Sequence, residues 1–236
     1  MAPSGLFQPF GVAHGLALAT VALVAVVLPL AARRLAWPRR RAIGVGIGVA
    51  LLLQEALNVW MRIDAGWTSM VLLAPLHLCT LAVFLTAFVL FTRHRRVYEV
   101  VWFWAMGGTT QALLTPDVHR AFFDPFTTVF FFGHGLVIVG VVYATLALGL
   151  RPVPTSIVRA YGVTAVYAGV IFAVNLAFDT NFLYLMRKPS QPSILDHLGP
   201  WPWYLLGLAA VALASMVLWY LPFFFFADRS SRRAKP

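Results

Sequence analysis

The chain of 236 residues is 61% hydrophobic and 11% charged, with a mean hydropathy of +0.81, which excludes an ordinary soluble domain. Its net charge of +10 would suit a nucleic-acid partner, but the basic residues sit in short segments between apolar runs, so no nucleic acid is expected. A single cysteine excludes an internal disulfide.

A bilayer core of roughly 30 Å takes about 20 apolar residues per helix. Seven stretches reach that length: about 11–32, 42–61, 68–92, 98–115, 123–149, 155–178 and 201–226. The expected fold class is all-α, a polytopic membrane protein with seven transmembrane helices forming one domain over 1–236. The first stretch is too long for a signal-peptide core and lacks a basic n-region, so it reads as a retained helix. Arg33, Arg34, Arg39, Arg40 and Arg41 follow it, Arg93, Arg95 and Arg96 follow the third stretch, and Arg151 and Arg159 flank the fifth-to-sixth turn. With Arg229, Arg232, Arg233 and Lys235 of the 227–236 tail, fourteen of the eighteen basic residues fall on one side. Arg62, Arg120, Arg187 and Lys188 fall on the other, beside Asp64, Asp117, Asp124, Asp179 and Asp196. The positive-inside rule then predicts an outside N-terminus, an inside C-terminus and a cytoplasmic basic tail. The longest outer connection, 179–200, carries Pro189, Pro192 and Pro200 and runs into Trp201, Trp203 and Tyr204. A partly folded cap or re-entrant segment is expected there, with the aromatic group at headgroup level.

At about 1.5 Å per helical residue, His77 and Cys79 lie roughly 15–18 Å below the outer surface, and His134 lies at a similar depth. Glu55, beside Gln54 and followed by Asn58, lies roughly 10 Å down by the same rise. His14, Gln111 and Asn175 come nearer that surface. Ionisable groups at bilayer depth are expensive and are functional candidates. Their shared depth predicts one polar cavity opening outward above an inner half that is nearly pure hydrocarbon. Scattered interhelical hydrogen bonds are the plainer alternative.

Cys79 is either a small core residue or a nucleophile. His77 is two residues away, about 200° around a regular helix, so it does not face the thiol. A base from another helix is the simpler geometry, and His134, between Gly133 and Gly135, has the depth for it. The two glycines would admit a close helix or an acyl chain. Glu55 reads as the one carboxylate deep in a span, protonated or paired with a histidine such as His77 or His14.

A set of motifs stands out, several of them long enough to be specific: Pro75-Leu76-His77-Leu78-Cys79, Phe103-Trp104, Gly107 through Asp117, His134-Gly135, Arg151-Pro152, and the stretch from Asn175 to Tyr204. Over about 50–226 the chain resembles the YwaF-like bacterial membrane proteins, a family grouped with the vertebrate transmembrane protein 164. Phe182 and Leu183 depart from it, standing where an Asn-Tyr-Met-like run is expected. The resemblance implies a multi-pass protein of a bacterial cell membrane and a lipid acyltransferase, in which a cysteine moves a fatty acyl chain from a phospholipid to a lysophospholipid. It also implies distant similarity to the androgen-induced-gene lipid hydrolases, where an intramembrane threonine and histidine split fatty esters. On that similarity Cys79 takes the nucleophile's place and His134 the base's. His77 matches the motif without an assigned role.

In this chemistry Gln111, Asn175 or a freed backbone N–H near Pro75 would steady the oxyanion, and Arg187 and Lys188 would hold a lipid phosphate. The partners expected are phospholipid and lysophospholipid, and no cofactor or metal is called for. Two rivals remain. One is a lipid ester hydrolase, either cysteine-dependent or of a zinc type using His14, His77, His134 and Glu55. The other is a lipid-binding or transport protein, favoured by helices broken at Pro75 or at Gly107-Gly108. A retinal pump is excluded, because neither Lys188 nor Lys235 lies in a span.

Overall fold

The structure, a computed structural model, describes residues 7–232 and side chains as far as Phe225. Arg233 and Lys235 of the basic tail lie outside the described residues. All regular structure among the described residues is helical. Five helices are long and apolar enough to cross a membrane: α1 (Val12–Ala32), α2 (Trp37–Asp64), α7 (Pro125–Leu146), α8 (Pro154–Phe178) and α9 (Tyr204–Arg232), the last over Tyr204–Phe225.

The third and fourth apolar stretches fold differently from the other five, and both differences have local causes. The third contains Pro75, which lacks an N–H and bars the residue before it from helical angles. Ala74 accordingly adopts φ −64°, ψ 147°, and His77 is extended at φ −72°, ψ 140°. The stretch is therefore split into the single turn α3 (Met70–Leu73) and α4 (Leu78–Thr92). The Tyr167 hydroxyl from α8 donates to the Leu76 carbonyl at 2.8 Å and pins the break. The fourth stretch runs as α5 (Arg95–Phe103), a π-helical segment over Trp104–Thr109, and α6 (Thr110–Leu114). Gly107 and Gly108 fall in the π segment, which widens the helix without interrupting it.

The core is the contact of α2, α4 and α7, with α1 against the far side of α7. Glycines on α7 permit it. A Cβ on Gly133 would lie 2.6 Å from the Gln54 amide of α2, and one on Gly135 would lie 2.6 Å from Val21 of α1. Both neighbours of His134 thus receive a helix. At the arginine-rich end the basic residues do structural work besides setting charge. Arg41 donates to the Leu90 and Phe91 carbonyls at 2.8 and 2.7 Å, closing the end of α4. Glu99, 2% exposed, pairs with Arg159 of α8 and lies 3.6 Å from Arg95. Glu55 is therefore not alone as a deep carboxylate, and the arginine-end half of the bundle is not pure hydrocarbon. Arg95 and Arg96 at the start of α5 are exposed, and Glu99, one turn on, is buried with Tyr98, Val100 and Val101.

Candidate functional site

Between α2, α4, α7 and the 115–124 loop lies a half-open cavity of about 370 Å³. Gln54, Glu55, Asn58 and Arg62 line it from α2, Cys79 and Thr80 from α4, and Gly133 and His134 from α7. Asp117, His119 and Arg120 form its rim.

Cys79 sits in the first turn of α4, two residues beyond the N-cap residue His77. This turn has no side-chain cap, and its first internal backbone bond is that of Leu81 to the His77 carbonyl, 2.9 Å. The N–H groups of Leu78, Cys79 and Thr80 therefore have no partner within the helix. They gather partial positive charge beside Cys79 and offer donors to an oxyanion. Thr109, fully buried in the π segment, faces the same turn; its hydroxyl lacks a hydrogen-bond partner and has the Cys79 thiol as a polar neighbour.

His134 reaches the cavity from the middle of α7. One ring nitrogen, Nδ1, lies 2.8 Å from the Phe130 carbonyl, one turn back on the same helix. A carbonyl only accepts, so Nδ1 carries the proton and Nε2 keeps its lone pair. The helix itself thus selects the tautomer a base requires.

The other residues singled out in the sequence disperse. His77 is exposed, occupies the N-cap position of α4 without a side-chain capping bond and packs edge-on against Phe182 at 4.8 Å, off the cavity lining. His14 is buried with both ring nitrogens occupied: Nδ1 accepts from the Phe10 N–H at 2.9 Å and Nε2 donates to the Leu113 carbonyl at 2.8 Å. It borders a separate hollow of about 150 Å³ and ties α1 to α6. Gln111 is exposed and donates to Thr115 at 2.8 Å. Asn175 is buried and closes the 175–182 turn, donating to the Phe182 carbonyl at 3.0 Å and accepting from its N–H at 2.9 Å. Lys188 stays in the loop above, 5.7 Å from the Tyr204 ring. Glu55 is buried and takes its hydrogen bonds from Asn58, at 3.2 and 3.3 Å; neither His77 nor His14 pairs with it, which leaves the protonated alternative of the two expected. Three residues apart on α2, the two meet without help from another helix. The ligands of the zinc reading do not converge, and among the described residues no three His, Cys, Asp or Glu side chains come together as a metal site.

The rim was not read from the sequence. Asp117 accepts from Ser190 at 3.0 Å and Tyr184 at 3.2 Å, and His119 meets Gln191 and Ser190 at 2.9 and 3.1 Å. Burial, reinforced by the Asp117 charge, pushes the Tyr184 phenol above the usual tyrosine range, so it stays a donor. These contacts fasten the 179–200 connection, with its 3₁₀ turns Phe182–Tyr184 and Ile194–Leu198, onto the 115–124 loop. The cap expected over this connection is present as a folded segment.

Residues 9–220 match the TMEM164 family. The chain belongs to that family. An uncharacterized protein of Treponema pallidum (strain Nichols) is 30% identical over 230 residues, which covers 94% of this chain and 92% of the relative. No solved structure matches this chain. The family match extends from the start of α1 into α9 and so takes in every element that lines the cavity.

Proposed function

We propose that this TMEM164-family chain is an integral membrane lipid acyltransferase that carries a fatty acyl group from a phospholipid to a lysophospholipid as a thioester on Cys79. It crosses the cell membrane seven times, with the N-terminus outside and the C-terminus inside. The third and fourth crossings are the broken path α3–α4 and the π-bulged path α5–α6. The cavity then opens outward. The observation that carries the reading is that Cys79, on uncapped amides, shares one cavity with a histidine whose free nitrogen is Nε2.

In the first half-reaction His134 Nε2 takes the Cys79 proton and the thiolate adds to the sn-2 ester carbonyl. The N–H groups of residues 78–80 receive the oxyanion. The ester C–O bond breaks, His134 returns its proton to the departing lysophospholipid oxygen, and an acyl-thioester remains. In the second half, His134 takes the proton of an acceptor lysophospholipid hydroxyl, whose oxygen attacks the thioester. The C–S bond breaks and the proton restores the thiol. Gln54, 7% exposed with an unpartnered Oε1 on the cavity side of α2, is the acceptor group available to orient that hydroxyl. Because the rim is open, water can replace the lysolipid as acceptor, and the hydrolase is the second reading.

Lipid mass spectrometry on purified protein tests the proposal. Supplied with a phospholipid donor and a labelled lysophospholipid, wild-type protein forms labelled diacyl product and Cys79→Ala does not. Equal product from Cys79→Ala would remove the cysteine mechanism.

A further inference from the structure

The cavity holds two arginines, and their surroundings differ. Arg120 already has an anion, Asp124 at 3.4 Å, and lies over Phe126. Arg62 has neither an ion pair nor a side-chain hydrogen bond among the described residues, although it lines the cavity and is only partly exposed. It is nonetheless held. Gly66, at φ +88°, ends α2 in a Schellman turn: its N–H bonds the Ile63 carbonyl at 2.9 Å and the Trp67 N–H bonds the Arg62 carbonyl at 3.0 Å. That turn folds Trp67 back beneath the guanidinium, 5.4 Å from carbon to ring centre. A stacked guanidinium gives its face to the ring and keeps its in-plane donors free, the geometry that suits a phosphate.

Arg62 also occupies the right register. Glu55, Asn58 and Arg62 recur at three and four residues along one face of α2. The carboxylate lies deep, and the cation is two turns nearer the rim. A glycerolipid whose ester sits at Cys79 carries its phosphate a few bonds further toward the headgroup, which is the rim side. The neighbouring rim groups Asp117 and His119 are occupied by the 190–191 segment. We infer that Arg62, positioned by the Gly66 turn and Trp67, is the anchor for the phosphodiester of a membrane phospholipid at the mouth of this cavity. The inference rests on the acyl-transfer reading and moves the phosphate site from Arg187 and Lys188 to α2.

The test is binding, measured on Cys79→Ala protein in detergent so that turnover plays no part. The probes are a short-chain phosphatidylcholine, the diacylglycerol with the same chains, and inorganic phosphate. The phospholipid is expected to bind about tenfold tighter than the diacylglycerol, the worth of one charge-assisted phosphate contact. Arg62→Gln is expected to erase that preference while leaving the diacylglycerol Kd unchanged. Arg62→Lys and Trp67→Leu, which keep the charge but lose the fork or its support, are expected to retain part of it. A preference that survives Arg62→Gln overturns the assignment, as does Arg62-dependent binding of inorganic phosphate without binding of the phospholipid. If the preference behaves as expected but wild-type protein transfers no acyl group, the anchor stands and the acyltransferase reading falls.

Discussion

At the scale of single residues, the distinction that matters is between two histidines close to one cysteine. His77 is its neighbour in sequence, yet it ends outside α4 against Phe182. His134 is distant in sequence and shares the cavity. His134→Asn should therefore slow acylation of Cys79 by about a hundredfold or more, the usual contribution of a positioned base. His77→Ala should change it little, because that ring is off the lining. Rates of thiol acylation by an activated lipid ester separate the two, and equal losses would contradict the assignment of His134. The bonding of His14 predicts a purely structural response. His14→Ala leaves the Leu113 carbonyl and the Phe10 N–H without partners, so it should cost about 1–3 kcal/mol in detergent denaturation without altering the acylation rate of the folded fraction.

At the scale of elements, the site depends on a broken helix and a close one. Tyr167→Phe releases the Leu76 carbonyl at the break above α4 and should lower stability by about 1 kcal/mol, read as a shift in the thermal midpoint. Gly135→Val places a branched side chain against Val21 and should force α1 off α7, at a cost of about 1–3 kcal/mol. Glu99→Leu leaves Arg159 without its carboxylate. The expected loss is about 3 kcal/mol, at the low end for a buried pair because Arg159 is 30% exposed. Much of this level could be read from the sequence and some could not. Pro75 announced the break in the third stretch, and the glycines flanking His134 announced close approach. Periodic depth arithmetic failed above Cys79, because an extended Ala74–His77 segment does not rise by helical steps. It also failed for Gln111 and Asn175, whose depth is shared but whose direction is set by their own hydrogen bonds, to Thr115 and Phe182. The π segment leaves no pattern in hydropathy, so the approach of Thr109 to Cys79 was not visible.

For the whole molecule, composition and charge carried the reading as far as a multi-helix membrane protein, and five helices meet the length and hydropathy of a crossing without further argument. Burial of Glu99 and the fastening of the 179–200 connection to the 115–124 loop depend on contacts between distant segments, which single-sequence pattern does not encode. The seven-crossing topology is tested by single cysteines placed in a Cys79→Ala background. Ser193→Cys should react with an impermeant thiol reagent added outside intact cells, and Thr155→Cys should react only after permeabilisation. The reverse pattern would invert the proposed orientation. The central claim is the covalent intermediate. Purified protein is mixed with phospholipid without acceptor, quenched in acid and digested, and the peptide containing Cys79 is weighed. The account predicts that peptide heavier by one fatty acyl group, with the addition removed by neutral hydroxylamine and formed about a hundredfold more slowly in the His134→Asn protein. Turnover of phospholipid to diacyl product with Cys79 unmodified, or by Cys79→Ala protein at the wild-type rate, would contradict it.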